Sequence, residues 1–579
     1  MAYNTGNPLG STDFRDLQDN AENMDKALNS GDLTFVDRLG VTRDTWAGLQ
    51  AVTGWTRQPL TSGITNLKET ADAQPVNIWE FADLVVSKPT PSNPDTWDWT
   101  PAIQAAVNSA YRTIEFTPGV FLITAAISFV SNKSLKLKPD TVIRRKTGSG
   151  VFNMLVIATL SRVGIEGGVI DGNRAADSLT PTNPAHRFSG VHATSSSFIE
   201  VSGARVVGTV NNETNGGIFF DTCTDSLIKE NDVTDNDRTG IVVFNSTRCD
   251  IVRNKGYSNL GSGITSSNNV DCLYQGNDTF NNGSAGNYTG LNASGLRSRV
   301  LGNLSYSNTG SGINVGEVSH VADNARLIGN ICYSNTLDGF SVQNSAGVLV
   351  QGNLANSNAR AGIRFFTNAT SCIASANTAD LNGTSGIHAL SGSHHDFYLN
   401  KCRTNVSAGI FLDAVATFAK ITGNDCQGNG TGAGANAAGI VVLSNDVDLT
   451  DNTSRDDGTA IQLYGIWLSG ALRASLVGNQ LAGNVTAALR ETSSPTFSTR
   501  VNKFGSDLST GQFTATAAST ATVVSNNNAR AVNRIKVYPL NSAAAARPGW
   551  ITSVSVGVSF TVTFSGNSAG TEVYGFEID

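Results

Sequence analysis

Charge is scarce in this chain: only 15% of its 579 residues are charged, and the formal net charge is −7. No Lys/Arg cluster stands out, which argues against nucleic acid as a partner, because phosphate binding needs concentrated cations. Proline is sparse as well, 14 residues against 59 glycines. With 40% hydrophobic residues, that balance favours an ordered, turn-rich structure over a disordered one. There is no run of about 20 apolar residues, so no membrane insertion is expected. The opening Met1–Gly10 has no basic stretch leading into an apolar core, so no secretory signal is expected. Cysteines number seven, an odd count, all between Cys223 and Cys426. This points to reduced, buried thiols in a protein folded in cytoplasm and released by other means. No phosphate loop, catalytic triad or metal-ligand spacing is found, so neither a cofactor nor a metal is expected.

What the chain does have is a repeat. A Gly-apolar pair recurs from Gly190-Val191 to Gly465-Ile466 at intervals of 22 to 30 residues. Alongside it runs an Asn-x4-Asn pair, from Asn231/Asn236 to Asn424/Asn429 and again at Asn479/Asn484. One coil breaks it, with Asn452 followed by Asp457. Short alternating runs such as Ile241-Val-Val and Ile440-Val-Val supply strands, and each coil is expected to make three of them, stacked about 4.8 Å from the coil before. Asparagine tolerates left-handed backbone at corners, and stacked amides can bond along the column. The period is that of leucine-rich repeats, but their consensus and helical segment are missing. The fold expected is all-β, a parallel β-helix of about 12 or more coils.

Upstream, Thr100–Ala110 reads as a helix, with Thr100 as N-cap, Pro101 at its first position and Ile103, Ala106, Val107 and Ala110 on one face. Such a helix would cover the open edge of the stack. Asp98-Trp-Thr-Pro-Ala-Ile-Gln104 and Phe116-Thr-Pro-Gly-Val-Phe121 resemble the opening of the pectate-lyase-like right-handed parallel β-helix superfamily, although a Pro/Trp-rich stretch replaces its Gly-Asp-Gly. Residues 1–75, with Phe35-Val-Asp-Arg-Leu-Gly-Val-Thr-Arg-Asp-Thr-Trp-Ala-Gly48, resemble virion-attachment segments of bacteriophage tailspikes; Asp13 to Leu28 can form a helix. The resemblance implies a homotrimer bound to phage tail or baseplate proteins, assembled in the host cytoplasm and acting at the host surface. The division expected is 1–75 for attachment and linker, 76–160 for cap and first strands, 161–494 for the β-helix, and 495–579 for a C-terminal β-sandwich serving trimerisation or sugar binding.

Side chains alternate across a strand, so the second and fourth residues after each repeat glycine should face outward. This face mixes rings with polar groups, which suits sugar stacking and hydroxyl recognition. Substrate-binding candidates are His192, Phe219, Phe244, Arg238, Phe411 and Trp467. A first catalytic cluster, Glu213, Asp221 and Asp237, with Asp235 nearby, offers the paired carboxylates of glycoside hydrolysis, about 5 Å apart for retention and about 6.5 to 9.5 Å for inversion. An alternative cluster joins Arg364, His388 and Asp413 on successive coils, flanked by Arg360, with His394 and His395 nearby. A base beside cations suits β-elimination from a uronic acid. Any one of these residues could instead be a solvated turn residue or ladder partner; Asp171 reads as a turn former, Glu230 and Arg253 as a cross-coil pair. Glu317 and His320 stand in a longer loop outside both clusters.

The function expected is a phage spike that binds a bacterial surface polysaccharide, O-antigen or capsule, and depolymerises it by endo-glycoside hydrolysis. The alternatives are a polysaccharide lyase and a receptor-binding spike or adhesin that does not cut.

Overall fold

A computed structural model describes the strands Thr34–Val36 and Thr42–Asp44, residues 75–493 apart from 180–182, 211–214, 433–436, 459–460 and 482, and most of the strands beyond 496. Two compact units are formed, Met1–Glu69 and Thr70–Asp579. In the first, Thr34–Val36 pairs antiparallel with Thr42–Asp44. The Asp13–Leu28 helix expected from sequence lies outside the described residues.

The second unit winds as a parallel β-helix. One face is a sheet of 15 strands in chain order, from Ile127–Ser128 to Ala487–Thr492. The other two faces carry three-residue strands such as Leu349–Gln351 and Leu354–Asn356, each paired in parallel with the next coil. Alternation decides what is inside: in Ile387–Ala389, Ile387 and Ala389 are buried and His388 is turned outward. All seven cysteines are free and buried, and burial pushes the thiols of Cys223 and Cys372 up to about 12. They act as small core residues.

The corners hold two asparagine ladders. In one, the Asn330 amide donates to Asn353 Oδ1 at 2.9 Å and Asn353 to Asn377 Oδ1 at 3.0 Å; each amide also donates to a backbone carbonyl, Asn353 to Leu327. The second runs through Asn358, Asn382 and Asn405 in the same way. The left-handed residue is the one before the ladder asparagine, not the asparagine as the sequence suggested: Glu230, Ala376, Leu399 and Thr404 have φ of 57°, 52°, 56° and 54°. That turn aims the next side chain inward, where the amide meets its copy. Where the pair breaks, Gln462 takes the place that Asp457 leaves empty: Asn429 donates to Gln462 Oε1 at 3.3 Å, and Gln462 donates to Asn484 Oδ1 at 2.8 Å.

At the amino-terminal end a helix spans Thr100–Asn108 and buries Ala102, Ile103, Ala106 and Val107 in the main core. Its N-cap is Trp99, one residue before the Thr100 expected, and the capping acceptor is Asp98, which receives the Thr100 amide at 3.0 Å. The tryptophans of the variant opening pack together, Trp79 against Trp99 at 4.9 Å and Trp97 against Trp99 at 5.7 Å. At the far end, two three-stranded antiparallel sheets share a core that includes Val524, Phe560, Phe564, Tyr574 and Phe576.

Candidate functional site

The outward column of the 15-stranded sheet has the register read from the sequence. His192 pairs with Phe219, Ser341 with Arg364, Arg364 with His388, His388 with Phe411, and Val441 with Trp467. It is not open throughout: Val242, Asn292, Asn314 and Ser341 are buried. At Asn292 the loop after Gly316 meets the column, held by Glu317, which accepts from Asn292, from Ser267 at 3.3 Å and meets His320 Nδ1 at 3.2 Å. Those contacts make Glu317 a fastening.

Below that loop the column opens into a pocket of about 260 Å³ lined by Asp338, Arg360, Arg364, Thr384, His388 and Phe411, among others. The alternative cluster is brought together here. His388 Nε2 lies 3.1 Å from Asp413 Oδ2, with side chains 21% and 28% exposed. Burial holds His388 below the ordinary imidazole range, against the opposing pull of Asp413; it is therefore neutral at pH 7. The tautomer that donates Nε2–H to Asp413 leaves Nδ1 with its lone pair, the arrangement of an oriented base.

Arg364 stands one coil above. Its guanidinium is 3.5 Å from buried Asp338 and 4.8 Å from the Phe366 ring, while its Nε has no hydrogen-bond partner. Asp338 was missed in the sequence because the columns were counted forward from each glycine, whereas Asp338 is the residue before Gly339. Arg360 makes no ion pair among the described residues, while Arg364 is paired with Asp338 and Asp413 is taken up by His388. The ring of Phe411 meets His388 edge-on at 4.9 Å.

The first cluster is placed differently. Asp221 is level with Phe244, at the carboxyl end of its strand, whereas Asp237 lies before Thr239, at the opposite edge of the sheet. A six-residue strand separates the two edges by about 17 Å or more, beyond the reach of paired carboxylates on one glycosidic bond. Asp237 is buried and ion-paired to Arg174. Asp221 accepts from Asn245 at 2.8 Å. Glu213 lies outside the described residues.

Among the binding candidates, His192 stacks on Phe219 at 4.8 Å, and Phe219 meets Phe244 at 6.2 Å. Arg238 lies over Tyr288, 5.0 Å from its centroid. Trp467 packs with Phe411 and Val441 in a small apolar cluster on the outer face. On another face Tyr257, Phe280, Tyr306 and Tyr333 stack nearly parallel at 4.8 to 5.0 Å. Their faces cover one another, which leaves only edges for a ligand. Asp171 is a turn former, accepting the Asn173 amide at 2.8 Å. Glu230 and Arg253 pair across coils at 2.6 Å. His394 stacks on Phe418, and His395 is wholly buried against Phe365 and Phe397.

Among the described residues no group of three or more His, Cys, Asp or Glu is arranged to hold a metal ion, and no helix is long and apolar enough to cross a membrane.

Residues 292–454 match the family model of a right-handed β-helix region. Among solved structures the chain is similar to the A-module of a mannuronan C-5 epimerase of Azotobacter vinelandii, with 15% identity, 74% of this chain and 100% of that one covered, and a TM-score of 0.36. It is similar to the Dettilon tailspike protein, with 13% identity, coverage of 84% and 92%, and a TM-score of 0.38. It is also similar to PfbA, a surface adhesin of Streptococcus pneumoniae, with 10% identity, coverage of 74% and 93%, and a TM-score of 0.36. Likeness at this level does not single out one activity; the chain is an all-β right-handed parallel β-helix with small antiparallel sheets at its carboxyl end.

Proposed function

We propose that the chain binds an acidic bacterial surface polysaccharide on the outer face of its long sheet and cleaves it by β-elimination at a uronate. The observation that carries this reading is the neutral His388, oriented by Asp413, in one pocket with Arg364 and Arg360. The two arginines neutralise the uronate carboxylate and so acidify the C5 proton. His388 Nδ1 takes that proton, the C4–O bond breaks as the C4–C5 double bond forms, and the leaving oxygen is protonated from the imidazolium or water. Hydrolysis through Asp221 and Asp237 is disfavoured by their separation and by the ion pair that occupies Asp237.

The resemblance of residues 1–75 to attachment segments supports placing the protein on a phage tail as a homotrimer, to be tested by sedimentation equilibrium of the full chain. The chemistry is tested by incubating the protein with polyuronate and with host capsule or lipopolysaccharide. Rising ultraviolet absorbance of an unsaturated uronate is expected. New reducing ends without that absorbance restore hydrolysis; unchanged chain length with tight binding leaves a spike that only holds.

A further inference from the structure

Four register steps from His388 toward the carboxyl end, through Phe411, Val441 and Trp467, the column reaches Arg490. Its guanidinium lies over two rings at once, 4.2 Å from the centroid of Trp467 and 4.8 Å from that of Tyr464. Trp467 is itself fixed, donating Nε1–H to Thr492 at 2.9 Å. The Arg490 side chain makes no hydrogen bond or ion pair among the described residues, and the residue is half-buried. Stacking fixes the plane of a guanidinium and leaves its N–H edge free, the geometry that takes a carboxylate. Between this arginine and the pocket the column is apolar: Phe411 and Val441 are buried, and the partly buried Leu443, Tyr464 and Trp467 pack against them.

Resting on the reading of the pocket as a uronate site, we propose that Arg490 is a second anion subsite on the same bound chain. The rungs advance by about 4.8 Å, so Arg490 is about 19 Å from His388. An extended pyranose chain advances by a similar step per sugar, which places about four residues between the two sites. The substrate is therefore a polyanion whose acidic groups recur, either at every sugar or at every second or fourth one. A polymer with a lone acidic sugar in a longer repeat fills one site and not the other.

The test is calorimetric binding of defined oligouronates, trimer to heptamer, to the full chain and to Arg490→Ala and Arg490→Gln, with the indole emission that is lost in Trp467→Phe as a local readout. Affinity is expected to rise about tenfold between trimer and hexamer, as one charge-assisted contact provides. Both Arg490 variants are expected to abolish that rise while binding trimers as the parent does, and only the longer oligomers are expected to change the Trp467 emission. Trimers that bind with no rise at greater length, or a rise that survives both variants, overturn the second subsite alone. Failure of every oligouronate to bind overturns the uronate reading of the pocket as well.

Discussion

Two columns run along this molecule with the same period, the asparagine ladder inside and the outward column of the long sheet. Inside, every amide is answered: Asn353 donates to Asn377 and to the Leu327 carbonyl, and its oxygen receives both the amide and the backbone N–H of Asn330. Outside, among the described residues, the groups at the pocket are left partly unanswered: Arg364 Nε has no hydrogen-bond partner and Arg360 makes no ion pair. A saturated column contributes stability and binds nothing, whereas an unsaturated one holds affinity in reserve. Among the described residues the ladder amides are answered, while unpartnered buried atoms occur at the pocket, at Arg364 Nε, and elsewhere in the coils, as at Ser266 and Ser375.

That contrast breaks if an outer residue proves structural. His388→Gln is expected to lower turnover by about 10³-fold with the unfolding midpoint in denaturant unchanged; a lost midpoint with residual activity would reverse the assignment. The inner counterpart is Asn353→Ala, expected to cost about 3 kcal/mol by leaving buried donors and acceptors unpaired, with cleavage per folded molecule unaltered. Equilibrium urea unfolding checks it.

Acid should affect the outward column and the buried core with one sign. His388 outside and His395 inside are both held below the usual imidazole range, chiefly by burial. Each binds a proton more readily unfolded than folded, so its contribution to stability is complete above about pH 6.5 and is lost as pH falls through the lower folded value. Activity should persist below pH 6.5, until His388 itself protonates. Asp413→Asn removes the influence that raises the His388 pKa, so the acid limb of the rate profile should move further down; an upward move would contradict the pairing.

Smaller effects sharpen the contrast. Arg360→Ala should weaken oligouronate binding about tenfold, read by calorimetry, with no change in the melting temperature. Leu399, 63% exposed with φ 56°, pays for a left-handed backbone; Leu399→Asn is expected to stabilise by about 0.5 kcal/mol, read as a higher urea midpoint.

The fold was legible in the sequence because its two registers are local: a glycine before an apolar residue and a pair of asparagines five apart fix each coil without knowledge of the next. The candidate site was legible only in part. Arg364, His388 and Asp413 lie on successive rungs, so counting along the column brought them together. Asp221 and Asp237 are close in number but sit at opposite edges of one sheet, which proximity along the chain cannot reveal. Gln462 was invisible for a related reason, since it enters the ladder from a place displaced by the longer coil.

That glutamine has a consequence for how such a molecule can diversify. The ladder requires an amide at each level but not a fixed number of residues between levels: Asn429 and Gln462 are 33 apart, where neighbouring partners are 24 apart. A side chain one methylene longer meets the same column from a shifted backbone. A coil can therefore acquire extra residues at its rim while the amide column continues unbroken. The ladder can stay unchanged while the loops at the rim are rewritten.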